Sequence, residues 1–404
     1  MSKVVIIGGG ASGLFAAYSS ALHGNDTILF EKNEKLGKKI YITGKGRCNL
    51  TTSAPLNDFF NNIVSNPKFM FGALNTFNSK DVIAFFETYG LKLKEERGNR
   101  IFPESDKASD VTKTIEKVLL DLGVDIRLNT EVYDLIIGNN CVLGVKTTYG
   151  DILSDAVIVC TGGISYPKTG STGDGYKFAK SVGHSIITPR PALVGIELCG
   201  ADYLEMQGLS LKNTKLVAKC GSKIVFEDFG EMLFTHFGVS GPIVLSCSSK
   251  INRLDNVDLI IDLKPALDEE TLNKRMLREL SENKGKAISN IMRSLLPKAL
   301  IPCVLKQAGI NIDINASELK TQFRKNIVYA LKNLKFKVKK LRPIEEAIVT
   351  AGGVNVREIN PKTMESKIIS NLYFAGEVID VDAFTGGYNL QLAFSTGYVA
   401  GANC

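Results

Sequence analysis

The sequence predicts an α/β fold in which a Rossmann-like nucleotide-binding domain is interrupted by an inserted β-rich domain and a small helical domain. Three observations support this prediction. A strand, a glycine-rich turn and a helix follow one another near the start of the chain, short strands separated by turn residues occupy its middle, and a stretch of helical periodicity comes next. A chain of 404 residues is also too long for one compact domain.

The first element is a βαβ unit. Residues 4–7 form an apolar run typical of a buried strand, residues 14–21 carry apolar side chains at helical spacing, and residues 27–30 form a second apolar run. Between the first strand and the helix, the segment Gly-Gly-Gly-Ala-Ser-Gly fits the pattern G-x-G-x-x-G. Its first glycine permits a tight turn, its second lets the backbone approach a pyrophosphate, and its third lets helix and strand pack closely. The residues expected to bind a nucleotide here are Gly8, Gly10, Ala11, Ser12 and Gly13.

Glu31 ends the second strand and indicates which nucleotide is bound. A carboxylate at this position can accept hydrogen bonds from both hydroxyls of a ribose, so it favours a free ribose over a 2′-phosphate. The nucleotide should therefore be FAD or NAD and not NADP. Lys32, the next residue, is assigned to the same site.

The elements between this unit and residue 160 are predicted from local signals. Serines able to cap and terminal glycines predict two helices, and apolar runs on either side of a Gly-Asn-Asn turn predict a hairpin that precedes a buried strand. These elements are the helices at 79–89 and 109–122, the hairpin strands at 131–137 and 142–148, and the strand at 156–160.

The remaining chain divides into domains where its pattern changes. Short strands begin near residue 188, helical periodicity broken by Pro297 and Pro302 follows, alternation at 335–339 indicates a return to strand, and an α/β pattern closes the chain. The predicted domains are the first part of the nucleotide-binding domain at 1–187, the β-rich domain at 188–265 with return strands at about 334–345, the small basic helical domain at 266–333, and the C-terminal part of the nucleotide-binding domain at 346–404.

Three glycine-containing segments favour FAD over NAD. The strand at 156–160 runs into Thr-Gly-Gly, which resembles the second glycine turn of two-dinucleotide-fold flavoproteins. The strand at 372–375 ends in a Gly-Glu pair, which resembles their A-G-D segment whose acid holds the ribityl chain. A Thr-Gly-Gly-Tyr-Asn-Leu segment opens the last helix, whose N–H groups could face the flavin N1/C2 carbonyl. The residues assigned to FAD here are Thr161, Gly162, Gly163, Gly376, Glu377, Asp380, Gly386, Gly387, Tyr388, Asn389 and Leu390.

Five stretches resemble one family across essentially the whole chain. They are residues 43–51 (TGKGRCNLT), 100–103 (RIFP), 161–167 (TGGISYP), 233–242 (LFTHFGVSGP) and 374–389. The sequence resembles the BaiN/YhiN-type family of bacterial FAD-containing flavoproteins, which also includes aminoacetone oxidase-like members. The resemblance implies an FAD domain, a β-rich domain and a small helical domain. It leaves the substrate open, because both C=C reduction on a steroid-like substrate and amine oxidation have been assigned to members.

The loop at 43–51 is assigned to flavin contact. Its two glycines separate basic and polar side chains that suit the polar edge of the isoalloxazine. The residues assigned are Gly44, Arg47, Cys48, Asn49 and Leu50, to which Val132 is added. Cys48 has no C-x-x-C or C-x4-C partner, so disulfide reductase chemistry is not expected.

Three residues are candidates for catalysis: His236, Arg47 and Tyr166. His236 lies among aromatic residues in a stretch that carries the family resemblance, and it is the first candidate for a proton donor or a substrate contact. The alternative interpretation is a hydrogen-bonded core histidine. Tyr166 begins a segment, residues 166–175, that resembles one in fumarate reductase-like flavoproteins. No matching arginine and histidine set for a dicarboxylate is present, which disfavours fumarate.

Composition excludes several other classes. No run of eighteen apolar residues appears and the first strand starts almost at once, so no membrane association and no secretory signal are expected, and a cytoplasmic location is predicted. The eight cysteines are scattered, so neither a disulfide framework nor a metal site is expected.

The net charge of +7 comes from residues 264–342, which contain 18 Lys and Arg and 7 Asp and Glu. We interpret this stretch as a solvated surface and do not expect nucleic acid to be a partner.

These features predict an FAD-dependent oxidoreductase that holds FAD non-covalently and transfers hydride between the flavin and a small organic substrate. The first interpretation is an NAD(P)H-dependent reductase of C=C bonds, with NADH or NADPH as a transient donor because no second G-x-G-x-x-G is visible. An amine oxidase that uses O₂ is the alternative within the same class. From another class, a flavin-bound RNA-associated or redox-sensing protein is the further alternative.

Overall fold

The computed structural model describes residues 2–404, which divide into two units. Unit 1 consists of the chain up to Ala192 together with Ile344–Cys404, and unit 2 consists of Leu193–Pro343. The boundaries predicted for the discontinuous first domain, after 187 and before 346, lie close to these divisions.

Strands and helices are numbered here in chain order. The strands are β1 (Lys3–Ile7), β2 (Asp26–Phe30), β3 (Thr51–Thr52), β4 (Leu93–Glu96), β5 (Arg100–Pro103), β6 (Asp125–Arg127), β7 (Val132–Gly138), β8 (Cys141–Thr147), β9 (Gly150–Leu153), β10 (Ala156–Val159), β11 (Ile186–Ala192), β12 (Ile196–Leu198), β13 (Ser210–Cys220), β14 (Lys223–Thr235), β15 (Gly238–Ser240), β16 (Val257–Asp262), β17 (Leu334–Leu341), β18 (Val349–Val354) and β19 (Leu372–Phe374). The helices are α1 (Ala11–Leu22), α2 (Lys38–Ile42), α3 (Leu56–Asn61), α4 (Phe71–Thr76), α5 (Ser79–Thr88), α6 (Ala108–Asp121), α7 (Asp174–Ser181), α8 (Pro242–Ile251), α9 (Glu269–Glu282), α10 (Ile288–Ile291), α11 (Ile301–Gln307), α12 (Thr321–Lys332) and α13 (Tyr388–Ala402).

Unit 1 is built on a five-stranded parallel sheet with the strand order β19-β10-β1-β2-β6. Its central strands are short apolar runs that are almost completely buried, as is usual in parallel sheets. Because these strands run in one direction, their carboxyl ends meet at one side of the sheet, which we call the carboxyl edge. Gly8, Glu31, Cys160 and Ala375 follow four of the strands directly, so segments far apart in the sequence come together there.

Helices α1 and α13 pack against each other with their backbones in close contact. A Cβ atom on Gly397 would lie 2.1 Å from the carbonyl oxygen of Ser12, and one on Gly401 would lie 2.2 Å from that of Ala16. Only glycine permits this approach. Since α1 follows the first glycine turn and α13 follows Gly387, the contact fixes both helix starts relative to each other.

Three smaller antiparallel sheets complete unit 1, with the orders β3-β5-β4, β7-β8-β9 and β11-β18. The hairpin of β7 and β8 and the helices α5 and α6 lie where the sequence predicts them, but the predicted serine caps are wrong. Asn78 caps α5, accepting from the N–H of Lys80 at 2.9 Å, while Asp81 accepts from the N–H of Asn78 at 2.7 Å. The sequence predicts Ser79 as the cap, but Asn78, one residue earlier, offers an equivalent side-chain oxygen acceptor. Local residue types therefore do not distinguish between the two positions.

Unit 2 is a closed antiparallel barrel with the order β12-β15-β14-β13-β16-β17. Alternate residues of its strands, such as Leu216 and Leu259, are buried, and they share one hydrophobic cluster with Leu272 and Met276 of α9. The segment predicted as a separate helical domain, 266–333, therefore has a common core with the barrel. Amphipathic helices of this length cannot bury their apolar faces alone, so they pack on the nearest sheet.

In residues 2–404 no helix is both long and apolar enough to cross a membrane. The eight cysteines in this range are free thiols. The same range holds no group of three or more His, Cys, Asp or Glu side chains arranged to bind a metal ion.

His184 is expected to make the stability of unit 1 depend on pH. Its Nε2 lies 2.7 Å from Ser366 Oγ and its Nδ1 lies 3.2 Å from Glu358 Oε2, in a buried position. Burial lowers the pKa of His184, although Glu358 opposes the shift. Because the pKa in the unfolded chain is higher, at about 6.5, the unfolded state binds the proton more tightly. We therefore expect the free energy of unfolding to fall as the pH drops below about 6.5.

Denaturant unfolding of unit 1 between about pH 7.5 and 5.5 measures this dependence. The variant His184→Gln should lose part of the slope, whereas His23→Gln, at an exposed histidine, should keep the slope of the natural protein. An identical slope in His184→Gln would show that the acid sensitivity has another source.

Candidate functional site

The glycine turn between β1 and α1 uses its glycines in two different ways. Gly8 has φ of +105° and donates its N–H to Phe30 at 2.8 Å, and a Cβ on Gly13 would lie 1.8 Å from the carbonyl oxygen of Gly8. These two positions serve the packing of strand and helix. A Cβ on Gly10 would meet no atom within 4 Å. The backbone at Gly10 therefore faces open space, into which a ligand can approach closely.

The start of α1 suits an anion. Gly10 is the N-cap residue and, within residues 2–404, the start of α1 has no side-chain cap. Backbone donors at a helix N-terminus, together with the helix dipole, stabilise a phosphate group.

Glu31 lies directly beside this turn. Its Oε2 accepts from the N–H of Gly9 at 2.9 Å, and its Oε1 accepts from the backbone and side-chain nitrogens of Asn33 at 2.8 and 2.6 Å. The carboxylate is thus oriented by neighbours on both sides and keeps lone pairs for further donors. Sequence reasoning missed Asn33, for which the only signal was its position two residues after the acid.

Lys32 points to a different partner from the one predicted. Its Nζ lies 2.7 Å from Asp174 Oδ2 and 2.6 Å from Thr172 Oγ1, so it joins the segment after β2 to the start of α7. Burial opposes ionisation of Asp174, but Lys32 and the other donors outweigh it and lower the pKa of Asp174 to about 2. The predicted contact between Lys32 and a nucleotide stays a prediction.

The second glycine turn is held by Thr350 of β18. Thr350 Oγ1 accepts from the N–H groups of Ile164 and Ser165 at 3.0 and 3.1 Å, and a Cβ on Gly163 would lie 2.4 Å from the same oxygen. Thr161 Oγ1 is buried and has no hydrogen-bond partner among residues 2–404. Thr350 was not predicted, because nothing in its local sequence distinguishes it from a strand residue.

Glu377 follows β19 and lies in a polar network. Its Oε1 accepts from Ser165 Oγ and from the N–H of Thr350, each at 2.9 Å, and its Oε2 lies 2.7 Å from Lys39 Nζ. Burial alone would raise the pKa of Glu377, but the Lys39 ammonium and the hydrogen-bond donors outweigh it, so the pKa is lowered. The carboxylate is therefore ionised at neutral pH. Its neighbour Gly376 has φ of +79°, and a Cβ there would lie 2.3 Å from the Ser12 hydroxyl.

The segment that opens α13 contacts the loop after α2. A Cβ on Gly387 would lie 2.4 Å from the carbonyl oxygen of Thr51, and the Asn49 side-chain oxygen accepts from the N–H of Gly387 at 3.0 Å. Asn389 instead bonds to a nearby segment of the backbone. Its side-chain oxygen accepts from the N–H of Ala383 at 2.9 Å, and its side-chain nitrogen donates to the carbonyl of Ala383 at 2.8 Å.

The other predicted members of this segment lie beside it. The ring of Tyr388 packs edge-on against Phe59 at 4.9 Å, Leu390 is half-buried against the core of unit 1, and Gly386 has φ of +132°. Asp380 is buried and its Oδ2 accepts from Asn66 at 3.0 Å. Val132 is buried at the start of β7.

The loop at 43–51 is tightly wound. Its left-handed residues include Gly44 with φ of +56° and Cys48 with φ of +61°. Cys48 and Leu50 are buried, and burial raises the pKa of the Cys48 thiol to about 12, so the thiol is protonated and unreactive at neutral pH.

Arg47 is directed at the hairpin of β4 and β5. It forms ion pairs with Glu96 and, at 2.7 Å, with Asp106, and its guanidinium lies 4.2 Å from the centre of the Phe102 ring. These contacts engage Nε, one terminal nitrogen and one face of the guanidinium, all with protein groups. The assignments of Arg47 as a catalytic residue and as a flavin contact stay predictions.

The two remaining catalytic candidates have very different surroundings. Tyr166 is half-buried with φ of +50°, an uncommon conformation for a bulky residue that often marks functional loops. His236 belongs to unit 2, where it occupies the two-residue turn between β14 and β15 and is exposed, with its ring edge-on to Phe237 at 5.1 Å. The alternative interpretation of His236 as a core histidine is wrong, because a tight hairpin turn leaves no interior side for its side chain.

These contacts place the two glycine turns, Glu31 and Glu377 at the carboxyl edge, and these residues fit FAD. Gly10 leaves room for a pyrophosphate at a helix N-terminus, and Glu31 can accept from ribose hydroxyls. Glu377 supplies an ionised carboxylate where the ribityl chain is expected, and Thr161 has a buried hydroxyl that lacks a partner in residues 2–404.

Comparison with known proteins identifies relatives over the full length. Residues 2–403 match the family model described as HI0933-like protein Rossmann domain. A 3-dehydro-bile acid delta(4,6)-reductase of Clostridium scindens is 33% identical over 407 residues, which cover 99% of this chain and 98% of that protein. A ribosomal RNA dihydrouridine synthase of Haemophilus influenzae is 32% identical over 405 residues, which cover 98% of this chain and 97% of that protein.

A solved structure shares the fold. The 3-ketosteroid delta1-dehydrogenase from Sterolibacterium denitrificans, in complex with 1,4-androstadiene-3,17-dione, superposes with a TM-score of 0.53 at 13% identity, covering 99% of this chain and 98% of that chain. This likeness concerns the fold alone, and it agrees with the α/β class predicted from the sequence.

Proposed function

Because the chain belongs to the HI0933-like Rossmann-domain family and is an FAD-dependent oxidoreductase, we propose that it reduces a C=C bond conjugated to a carbonyl group, with NADH or NADPH as the electron donor. Family membership confirms the resemblance stated from the sequence motifs. One observation carries the proposal: two relatives of nearly equal similarity, at 33% and 32% identity, have names that describe the same change of bond on different substrates.

The shared chemistry follows from the names. A 3-dehydro-bile acid with double bonds at positions 4 and 6 is a conjugated ketone, and dihydrouridine is uridine whose C5–C6 double bond, conjugated to a carbonyl, has been saturated. When the double bond next to the carbonyl is reduced, the β carbon would receive a hydride and the α carbon a proton. For the steroid double bond at position 6, which is conjugated one bond farther away, the hydride would go to the δ carbon and the proton to the γ carbon. NAD(P)H and a proton supply the two hydrogens, and NAD(P)⁺ leaves.

In this proposal the residues at the carboxyl edge bind and orient the cofactor without a covalent bond. When bound, FAD supplies the chemistry of accepting hydride from the donor and passing it to the substrate. The N–H groups of α1 would hold the pyrophosphate, and Glu31 would hold the ribose. Tyr166 of unit 1, which is held in a left-handed conformation, is the proposed proton donor. The role of the exposed His236 of unit 2 stays a prediction from the sequence.

The charge of unit 2 favours RNA as a second candidate substrate beside a small enone. The basic excess at 264–342 includes Lys335, Lys337, Lys339 and Lys340, all exposed on β17. Two of them are partly neutralised, since Lys335 pairs with Asp258 at 2.9 Å and Lys340 lies 3.8 Å from Glu197. The remaining charges suit contact with phosphates, and such binding would weaken steeply with salt.

Anaerobic reduction followed by substrate addition tests the function. We expect NADH or NADPH to bleach the flavin rapidly. An unsaturated 3-oxo steroid or a ribosomal RNA transcript should then reoxidise the flavin, and the product should contain two additional hydrogens. Neutralising Lys337 and Lys339 should slow turnover of RNA and leave turnover of the steroid unchanged. If neither NADH nor NADPH reduces the flavin, but peroxide forms when small amines and O₂ are supplied, the protein is an amine oxidase instead.

A further inference from the structure

Lys39 and Glu377 form a mostly buried ion pair between residues far apart in the sequence. Lys39 lies in α2 and Glu377 follows β19, and only 23% and 20% of their side chains are exposed. Lys39 Nζ contacts both carboxylate oxygens, at 2.7 and 3.0 Å, and also reaches Ser165 Oγ at 2.5 Å. Neighbouring Lys38 has other partners, because it pairs with the exposed Glu34 at 3.0 Å and donates to Asn33 Oδ1 at 3.2 Å.

A carboxylate in this position needs a cation. Removing an ionised carboxyl from water without a partner costs several kcal/mol, and such groups usually take up a proton instead. The Lys39 ammonium reverses this tendency and keeps Glu377 ionised. An ionised carboxylate accepts hydrogen bonds about twice as strong as those of a neutral acid.

The distribution of donors leaves one oxygen of Glu377 available. Oε1 already accepts from Ser165, from the N–H of Thr350 and from Lys39. Among residues 2–404, Oε2 accepts only from Lys39, so it keeps lone pairs for a ligand hydroxyl. Glu377 is also one methylene longer than the aspartate of the A-G-D segment, and the contacts with Lys39 and Ser165 immobilise that additional torsion.

We propose that Lys39 is a positioning residue of the FAD site, which orients the Glu377 carboxylate so that its Oε2 receives a ribityl hydroxyl. The proposal rests on FAD as the cofactor and not on the identity of the substrate. It can therefore fail or succeed independently of the proposed reductase activity.

Equilibrium binding of FAD to the apoprotein, followed by flavin fluorescence from about pH 6 to 8, tests this role. In Lys39→Met the dissociation constant should rise by about tenfold or more at neutral pH, because the Glu377 carboxylate is no longer held in place to accept the ribityl hydroxyl. It should rise further as the pH falls, because Glu377 then takes up a proton. The natural protein and the control Lys117→Met, at an exposed lysine of α6, should lack this additional pH dependence.

Two more variants separate positioning from folding. Lys39→Arg keeps the charge and should bind FAD within a few-fold of the natural protein. In Lys39→Met/Glu377→Gln no buried charge is left without a partner, so the two losses should be less than additive. If Lys39→Met folds, as circular dichroism shows, and binds FAD with the natural affinity at every pH, the proposal is overturned. If Lys39→Met does not fold, Lys39→Arg decides the question. The proposal is overturned if Lys39→Arg loses as much FAD affinity as Glu377→Gln does.

Discussion

Replacing Gly10 with valine is expected to abolish FAD binding while leaving the apoprotein folded. Gly10 has φ of −84° and ψ of −171°, an extended conformation that any residue adopts, and a Cβ there would meet no protein atom within 4 Å. The valine side chain would instead occupy the space assigned to the pyrophosphate. This position thus separates the requirements of the ligand from those of the fold.

The expected effect is large. Displacing the phosphates from the start of α1 removes at least two charge-assisted hydrogen bonds of roughly 1.5–3 kcal/mol each, so the dissociation constant for FAD should rise by at least about 100-fold. The measurement is FAD titration of the apoprotein, together with its thermal midpoint, which should stay within about 2 °C of the natural value.

Gly285→Val is the matched control for this substitution. Gly285 is exposed in unit 2, has no atom within 4 Å of its ideal Cβ position and does not need a positive φ. It should leave both FAD affinity and thermal midpoint unchanged. Natural FAD affinity in Gly10→Val would mean that the pyrophosphate lies elsewhere and that the glycine turn has only a structural role.

The sequence predicted the elements that rest on local chemistry. The glycine turn at Gly8, the terminal acid Glu31 and the short strands of unit 2 each have a pattern within a few residues, because tight turns and buried strands select residue types locally. The closure of the barrel and the packing of the helical segment 266–333 into its core have no such pattern. They depend on which apolar surfaces meet after folding.

The polar contacts of the site were the least predictable part. The pairing of Lys39 with Glu377 joins residues on separate elements and leaves no periodic trace in either segment. The assignment of Arg47 to the flavin followed a motif, yet the structure pairs this arginine with Glu96 and Asp106. A long cationic side chain can reach several acids from one backbone position, so its partner is decided by the tertiary structure.

Gly397→Ala is expected to destabilise unit 1 strongly. In an exposed helix, replacing glycine with alanine stabilises by about 1 kcal/mol. Here the new Cβ would lie 2.1 Å from the carbonyl oxygen of Ser12, so α13 must move away from α1. Forcing such a shift in a packed interior costs about 3 kcal/mol, which exceeds the gain in helix propensity. The net loss of about 2 kcal/mol should lower the thermal midpoint of unit 1 by roughly 5 °C.

The same displacement reaches the cofactor site, because α1 begins at the glycine turn and α13 begins after Gly387. Gly397→Ala should therefore weaken FAD binding as well as stability, in contrast to Gly10→Val, which affects binding alone. Gly285→Ala, where the added methyl group meets no atom, provides the control for scanning calorimetry and FAD titration. A more stable Gly397→Ala protein would show that the helices can separate without loss, and that their close contact does not hold the two ends of the chain at the carboxyl edge.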